Sequence, residues 1–397
     1  MLHGRKRHAE HAAFLDWLIA QISGQKIDVL LVAGDIFDTR TPSNRAQELY
    51  YQFLGEISQT SCQHIIITSG NHDSPSFLDA PKALLRSLRV HVVGQSGEIA
   101  EQLIELRDKN GEKQALIAAV PFLRDRDIRK VELGESIDDK EQKITEGIRR
   151  HYDELADLAE KNLQASAKII PVIAMGHLFA SGGQVGDGVR DLYIGNLGSI
   201  GADTFSKLFN YVALGHLHVE QKVGGKDHIR YSGSPIPMGF GEAGQEKKVL
   251  IFEVKAGEKI AISPQSLTVP DFQILLRIAG DLDQLLAKIT ELKAQKSSAW
   301  LEVRYTGSQS QSDLRSRLYE AIAGSEVEIL RIIDQTQMRT LQSRNDEEPE
   351  LLDSLSETEV FERCLNAHAV PAEELDDLRH SFQEILQTQR DADLFAE

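Results

Sequence analysis

Four short apolar segments in the first 220 residues each end in glycine followed by a polar residue, and this pattern constrains the fold most strongly. The segments are Ile27–Gly34, His64–Gly70, Ile169–Gly176 and Tyr211–Gly215. Each is rich in valine, isoleucine or leucine and predicts a buried strand whose last residues turn into a loop. Helical patterns lie between them, at His8–Ile22, Arg45–Ser58 and Glu141–Ser166. This alternation predicts an α/β domain over residues 1–263, with layered sheets covered by helices.

Residue types that bind metals follow each of the four predicted strands. The motifs are Gly34-Asp35-Ile36-Phe37-Asp38, Gly70-Asn71-His72-Asp73, Gly176-His177 and Gly215-His216-Leu217-His218. The carboxyl ends of strands in an α/β sheet face a common crevice, so these side chains are expected to converge. A glycine before the ligand lets the backbone turn sharply and approach a bound ion.

Each motif has an ordinary structural interpretation when it is taken alone. A Gly-Asp pair after a strand is usually a turn, and Asn71 or Asp73 could cap a helix. His216 and His218 could alternate along a strand with both rings on one side. Four strand-end sites of matching chemistry in one domain are hard to explain as coincidence, so we interpret them together as a metal centre.

The ligand chemistry indicates a reaction type. Imidazole, carboxylate and amide ligands without thiolates suit Mn²⁺, Fe or Zn²⁺ at a catalytic site. One carboxylate can bridge two cations about 3.5–4 Å apart, and such pairs clamp the attacking and leaving oxygens of an in-line displacement at phosphorus. Water is then the nucleophile, so no serine nucleophile is needed. A protonated imidazole near the leaving oxygen would assist its departure.

The four motifs resemble the signature of the calcineurin-like metallophosphoesterases, and further segments resemble the bacterial SbcD nuclease subunits within that superfamily. The narrower resemblance rests on His3–Arg7, Glu10, His11, Ala13–Leu18, Val120–Arg124, Val189–Gly195 and Arg230–Pro237. It extends over nearly the whole chain. It implies a layered metallophosphoesterase β-sandwich flanked by helices, with a small α/β capping domain and a C-terminal helical tail.

The resemblance also implies a centre of two divalent ions, Mn²⁺, and assigns its protein ligands. These are Asp35, Asn71, His177, His216 and His218. Asp35 would bridge both ions, and His218 would bind the first of them. Asn71, His177 and His216 would bind the second ion.

Three further features lie near the scissile phosphate if the resemblance holds. His72 would assist catalysis there without binding metal. Asp38 could orient His72, or it could instead be a helix cap or turn residue. Ser232–Pro237 would form a turn beside the site, with either a structural or a substrate-shaping role.

The family begins with a strand ending in Asp-x-His, which supplies two further ligands to the first metal. The opening Met1-Leu2-His3-Gly4 corresponds to the loop just after that motif. Two explanations remain open, a start at an internal methionine of a longer protein or a truncated and impaired enzyme. We favour the longer protein because the other motif residues are intact.

The pattern changes after a break at Pro264–Asp271. Predicted strands Phe272–Ile278, Ala299–Tyr305 and Glu326–Ile333 then alternate with predicted helices Leu282–Gln295 and Ser312–Ala323. We assign residues 271–334 to a small α/β capping domain and 335–353 to a linker containing the acidic Asp346–Glu350. Residues 354–397 form a predicted helical tail for partner docking. Its two amphipathic helices are Glu357–Ala367 and Ala372–Gln389.

Charge is distributed unevenly along the chain. The formal net charge is −17, which taken alone argues against a nucleic-acid partner. However, 17 acidic and 5 basic residues lie between Asp334 and Glu397, so this end alone carries −12. The preceding residues carry only about −5 and can still present a basic strip to a phosphate backbone.

The resemblance implies a metal-dependent DNA nuclease subunit with double-strand exonuclease and single-strand endonuclease activities, acting in DNA repair, recombination and replication. Its partner would be an SbcC-like ATPase with a long coiled coil, bound as a homodimer within a heterotetramer. No apolar run approaches the roughly 18 residues of a membrane-spanning helix, and the two cysteines fit a reducing cytoplasm. A small-molecule phosphatase or phosphodiesterase and a non-catalytic scaffold remain as alternatives.

Overall fold

The computed structural model describes residues 1–129, 136–164, 168–180, 200–257, 262–307 and 313–335, together with Phe361, Leu365, Leu378, Arg379 and Phe382. Residues Met1–Gln335 form one compact unit, and Thr336–Glu397 form a second. Among the described residues, the strands form four sheets. No helix in these parts of the chain combines the length and the apolar character that a membrane crossing would require.

The first part of the chain builds a parallel three-stranded sheet in the order β1-β2-β3. Its elements are α1 (His8–Gly24), β1 (Val29–Ala33), α2 (Asn44–Ile57), β2 (His64–Thr68), α3 (Pro75–Asp79), α4 (Lys82–Leu85) and β3 (Val90–Val93). On β2, Ile65 and Ile67 pack with helix residues such as Ile22 and Leu54, whereas Ile66 belongs to a different core on the opposite face. This alternation is expected of a strand that is buried on both sides.

The next part of the chain builds a six-stranded mixed sheet. Its elements are α5 (Ile99–Gln102), β4 (Leu103–Arg107), β5 (Lys113–Ala119), α6 (Asp125–Ile128), α7 (Ile137–Gln164), β6 (Val172–His177), β7 (Tyr211–Gly215), β8 (Gln221–Val223) and β9 (Lys226–Tyr231). The strand order is β4-β5-β6-β7-β9-β8, parallel in the centre and antiparallel at both edges. Tyr152 and Leu155 of α7 pack on Leu116 and Val172, so this helix covers one face.

The other face of the six-stranded sheet packs on the three-stranded sheet. Ile66 and Val93 from the first sheet share a buried cluster with Ile117, Ile173 and Met175 from the second. The layers therefore run helix, sheet, sheet, helix. This arrangement confirms the predicted layered β-sandwich flanked by helices.

After β10 (Lys248–Ile251) and β11 (Gln265–Thr268), which pair in antiparallel fashion, the chain forms a small α/β unit. Its elements are β12 (Leu275–Gly280), α8 (Leu282–Ala294), β13 (Trp300–Tyr305), α9 (Leu314–Ile322) and β14 (Glu328–Asp334). The three strands are parallel, in the order β12-β13-β14, which matches the predicted alternation. Helix α8 begins at Asp281, whose side chain accepts the Gln284 N–H at 2.9 Å in a capping box.

Contacts join this small unit to the sandwich within the first compact unit. Leu2 and Phe240 share a buried cluster with Leu275, packed by Trp300 and Leu330. The domain limits 1–263 and 271–334 themselves remain predictions.

The tail is described at five residues only, all of them helical and all within the two predicted helices. The rings of Phe361 and Phe382 stack with centroids 3.9 Å apart and planes 4° from parallel. The apolar stripes of the two predicted helices therefore contact each other at this point. The predicted linker beyond Gln335, the rest of the tail and the segment Val189–Gly195 lie outside the described residues.

Candidate metal centre

Four of the five predicted ligands come together at one edge of the sandwich. Asp35 and Asn71 lie on the loops after β1 and β2, His177 is the last residue of β6, and His216 directly follows β7. Strand β1 packs against both β6 and β7, so the ends of strands from the two sheets meet. The site is thus assembled by the sandwich, from positions up to 144 residues apart in its hydrogen bonds.

The side-chain atoms at this edge converge as a metal-binding set. His177 Nε2 lies 3.3 Å from Asp35 Oδ2 and 3.0 Å from Asn71 Oδ1. One ligand atom from each of Asp35, His177 and His216 lies within 4.8 Å of the others. Sulfur ligands are absent from this set, as expected for Mn²⁺, Fe or Zn²⁺.

The tautomer of His177 follows from its second nitrogen. Nδ1 lies 2.9 Å from the carbonyl oxygen of Ala33, which can only accept, so Nδ1 carries the proton. Nε2 then presents a lone pair to the Asp35 carboxylate and the Asn71 amide oxygen. Three electron-rich atoms facing one another need a cation among them, and a backbone carbonyl that orients the far nitrogen is the usual support of a metal-binding imidazole. The residues present therefore fit a divalent ion.

The electrostatics of the cluster agree with this geometry. Burial opposes ionisation of Asp35, but the hydrogen bond and charge of His177 outweigh it and lower the Asp35 pKa to about 2. Burial also disfavours the His177 imidazolium, yet Asp35 raises the His177 pKa above its usual value. Burial, together with the charge of His177, lowers the His216 pKa to about 3, so His216 is neutral and able to bind an ion.

Two of the ligands have unusual backbone conformations. Asp35 has φ 52° and His216 has φ 104°, in the region that side chains other than glycine rarely adopt. Gly34 has φ 82°, and a Cβ there would collide with the His177 ring. A Cβ on Gly70 would likewise collide with Asp35. The glycines therefore allow close approach, and the packed strands hold a strained ligand geometry in place.

Asp73 ties the first two motif loops together. Its buried carboxylate accepts N–H groups of Gly70 at 2.8 Å, Phe37 at 2.9 Å and Ile36 at 3.1 Å. Burial raises the Asp73 pKa although these backbone bonds oppose the shift. The sequence offered Asp73 only as a possible helix cap, and its position at the end of Gly-Asn-His-Asp was the available signal for more.

His72 lies beside the cluster, and its ring is held from the other side. Its backbone N–H donates to Asp35 Oδ1 at 3.1 Å, whereas its ring Nδ1 lies 3.0 Å from the Asp38 carbonyl oxygen. The Asp38 carboxylate is more distant, 3.8 Å from Nδ1, and its side chain is 73% exposed. Asp38 therefore contacts His72 chiefly through its main chain. Nδ1 donates to that carbonyl, and Nε2 is the nitrogen left for proton transfer.

His218, the fifth predicted ligand, is not part of the three-residue convergence. Its Nδ1 lies 2.7 Å from Glu242 Oε1, and Glu242 also binds Lys247. Burial would raise the Glu242 pKa, but the hydrogen bonds from His218 and Lys247 lower it, so the group is a carboxylate. Sequence reasoning missed both Glu242 and Lys247. Their nearest signal was the predicted Ser232–Pro237 turn, whose Ser234 hydroxyl contacts Glu242 Oε2 at 3.3 Å.

Aromatic rings line the imidazoles. Phe122 meets His177 edge-on with centroids 6.4 Å apart, and Phe179 meets His216 at 6.5 Å. Arg124, two residues after Phe122, is near Arg40 and Arg126, and burial together with their charges lowers its pKa. Clustered guanidinium groups are favourable partners for phosphate oxygens.

Comparisons with known proteins agree on the kind of chain to which this one is similar. The family model described as calcineurin-like phosphoesterase matches residues 2–220. The model described as the type 5 capsule protein repressor C-terminal domain, SbcD_C, matches residues 271–369.

Curated relatives extend the similarity to almost the full length. The SbcD subunit of the SbcCD nuclease from Escherichia coli strain K12 is 33% identical over 388 residues, covering 97% of this chain and 94% of the relative. The protein of the same name from Rhodobacter capsulatus is 36% identical over 301 residues, 73% of this chain and 72% of the relative. Its Bacillus subtilis counterpart is 29% identical over 325 residues, 81% of this chain and 80% of the relative.

Proposed function

Because this chain belongs to the calcineurin-like phosphoesterases, and among them to the SbcD nuclease subunits, we propose that it hydrolyses DNA phosphodiester bonds at a two-metal centre. The observation that carries the proposal is the convergence of Asp35, Asn71 and His177 within hydrogen-bonding distance, with His216 beside them. The nuclease names of the relatives support DNA as the substrate. The Arg40, Arg124 and Arg126 cluster supports a polyanionic substrate.

The five predicted ligands are divided between two Mn²⁺ ions in this proposal. Asn71, His177 and His216 hold one ion, His218 holds the other, and Asp35 contacts both. Such a pair supplies Lewis acidity, which lowers the pKa of water and draws charge from phosphoryl oxygens. The strained Asp35 and His216 loops keep the ligands pre-organised, so little rearrangement accompanies binding.

His72 acts on the leaving oxygen in this proposal. Its Nδ1 donates to the Asp38 carbonyl, which fixes the ring, and its backbone N–H holds Asp35. The ring can therefore give a proton from Nε2 to the departing oxygen without giving up its anchor. Proton donation and metal binding are thereby assigned to adjacent residues, His72 and Asn71.

The first expected outcome concerns substrate class. With Mn²⁺, the purified full chain should degrade linear duplex DNA and cleave single-stranded DNA faster, per phosphodiester, than it hydrolyses bis(p-nitrophenyl) phosphate. Gel assays on end-labelled DNA and absorbance of nitrophenolate measure the two rates. Both activities should disappear in excess chelator and return when Mn²⁺ is restored.

Three results would contradict this assignment in different ways. Cleavage that persists in excess chelator would contradict metal dependence. A preference for the small diester, with DNA left intact, would indicate a small-molecule phosphodiesterase. Inactivity on both substrates, with DNA still bound, would indicate a scaffold.

The tail is the proposed docking segment for an SbcC-like ATPase, at the base of its long coiled coil. Relatives named as a subunit of the SbcCD nuclease support such a partner, within a heterotetramer that contains two copies of this chain. The Phe361–Phe382 stack uses part of the apolar stripe of each predicted helix, while Leu378 is 39% exposed. An exposed leucine on an amphipathic helix can anchor in the groove of a partner.

Removing residues 350–397 should abolish co-purification with the ATPase while leaving Mn²⁺-dependent cleavage of single-stranded DNA largely intact. The compact unit Met1–Gln335 lies wholly outside the deleted segment, so the metal centre should be unaffected. The single change Leu378→Asp should weaken the same association, since it places a charge on the exposed apolar position. Unchanged affinity of the shortened chain for the ATPase would refute the docking proposal.

A further inference from the structure

A fully buried carboxylate lies behind the ring of His218. Glu242 is 0% exposed, and its Oε1 is 2.7 Å from His218 Nδ1. Its Oε2 is 2.6 Å from Lys247 Nζ, and Lys247 is itself only 5% exposed. A buried charge is costly unless it is paired and hydrogen-bonded, and Glu242 is both.

The two oxygens of Glu242 have different partners. Oε2 accepts from Lys247, from the Met238 N–H at 2.9 Å and from the Ser234 hydroxyl at 3.3 Å. Oε1 faces His218. Lys247 also donates to the carbonyl oxygen of His218 at 3.1 Å and to Ser234 Oγ at 3.0 Å. His218 is therefore held at both its ring and its backbone by one ion pair.

This arrangement selects one tautomer of His218. A carboxylate can only accept, so the proton of the neutral ring must lie on Nδ1 and the lone pair on Nε2. Nε2 is the nitrogen farther from Glu242 and the one able to bind an ion. A carboxylate behind a metal-binding imidazole fixes the orientation of the ring and increases its basicity.

We propose that Glu242 is a positioning residue that holds His218 with Nε2 available to the metal, and that Lys247 keeps Glu242 in place. The inference rests on the proposed function, in which His218 binds the first ion. It adds a residue pair that the ligand assignments leave out, and a role for the turn at Ser234 as part of the same network.

The competing explanation is that Glu242 only stabilises the fold. The chain offers a matched example, because Glu302 is 1% exposed and bound by three arginines. Arg277 and Arg304 approach its Oε1 at 2.7 and 2.9 Å, and Arg331 approaches its Oε2 at 3.3 Å. Glu302 lies on β13 in the small α/β unit, so Glu302→Gln serves as a control for the loss of a buried carboxylate.

The informative variant is Glu242→Gln, because its effect on the tautomer can be derived. Three donors surround the Oε2 position, so the amide oxygen of the new side chain must face them. Its NH₂ group then points at His218 Nδ1 as a donor. The ring must respond by accepting at Nδ1 and carrying its proton on Nε2, which removes the lone pair that an ion needs.

The test combines a spectroscopic readout with metal binding, using the full chain. Long-range ¹H–¹⁵N correlation spectra of protein labelled at histidine, at pH 8 without metal, report the tautomer of His218, assigned with His218→Gln. Titration with Mn²⁺, followed by the electron paramagnetic resonance of the free ion, reports binding. We expect Nδ1–H in the wild type and Nε2–H in Glu242→Gln. The binding step that His218→Gln weakens should shift to about 10–100-fold higher Mn²⁺ in Glu242→Gln.

Glu302→Gln should change neither readout, even if it lowers the melting temperature as much as Glu242→Gln does. An Nε2–H tautomer in the wild type overturns the proposal, whether or not the variants fold. So does an unchanged tautomer and Mn²⁺ midpoint in Glu242→Gln, or the same shifts in Glu302→Gln. Neither readout depends on DNA cleavage. A wild type that binds Mn²⁺ while Glu242→Gln behaves identically refutes this inference alone, whereas a wild type that binds no Mn²⁺ refutes the proposed function.

Discussion

Replacing Asp35 with asparagine should abolish high-affinity Mn²⁺ binding and reduce DNA cleavage by at least about 10³-fold. The carboxylate is the one negatively charged group in the cluster with His177 and His216, and in the proposed centre it contacts both ions. An amide keeps the shape but loses the charge that offsets the two cations. Several kcal/mol of transition-state stabilisation by the metals correspond to this factor, at roughly 1.4 kcal/mol per tenfold. Mn²⁺ titration and initial rates on end-labelled DNA measure the two effects.

Asp79→Asn is the matched control for this variant. Asp79 also accepts a backbone N–H, from Gly94 at 2.9 Å, just as Asp35 accepts that of His72 at 3.1 Å. It lies on α3 and has no part in the proposed centre. The control should bind Mn²⁺ and cleave DNA as the wild type does. If Asp35→Asn retains normal Mn²⁺ affinity, Asp35 is not a ligand and the proposed centre is wrong.

Replacing His72 with asparagine should produce the opposite dissociation, in which metal binding survives and turnover is lost. The ring makes its hydrogen bond to the Asp38 carbonyl and stays outside the convergent ligand set. A general acid contributes about 10²–10⁴-fold, so kcat should fall by that factor while the Mn²⁺ midpoint is unchanged. Single-turnover cleavage at saturating Mn²⁺ measures the chemical step directly.

His64→Asn provides the matched control. The His64 ring also binds a backbone carbonyl, that of Arg107 at 3.1 Å, but it lies at the start of β2, at the opposite end of the strand from the Asn71 loop. Its replacement should leave kcat and Mn²⁺ binding unchanged. A loss of bound Mn²⁺ in His72→Asn that parallels the loss of activity would make His72 a ligand, contrary to its proposed role. A leaving group with a low pKa, such as nitrophenolate, should also reduce the penalty, because it departs without a proton.

The architecture was accessible from sequence where apolar pattern and motif coincided. The strands ending at Asp35, Asn71, His177 and His216 were predicted, as was the strand-helix alternation of the small α/β unit from Leu275 to Asp334. The third predicted strand begins later than expected, at Val172 rather than Ile169, because Pro171 has no N–H to donate to a neighbouring strand.

Strands without a motif were missed. Strands β3, β4 and β5 and the strands from β8 to β11 were not predicted. Several are short edge strands, such as Gln221–Val223 and Gln265–Thr268, with polar residues facing solvent. Their identity depends on the neighbour with which they pair, and that neighbour is not written in the local sequence.

The identity of the candidate ligands could be obtained from sequence because chemistry and position were locally encoded. A glycine, an apolar strand and a metal-binding side chain within a few residues specify where the strand ends and what it presents there. The order of these motifs was then sufficient to indicate phosphoester hydrolysis before any distance was known.

The groups that hold the ligands in place were decided by tertiary structure alone. Asp73 reaches N–H groups 36 and 37 residues away, and Glu242 reaches His218 across 24 residues. In sequence, the Glu in Gly-Phe-Gly-Glu is indistinguishable from a solvated turn residue. Burial makes the difference, because a carboxylate excluded from water must find donors, and the donors that the fold supplies are His218 and Lys247.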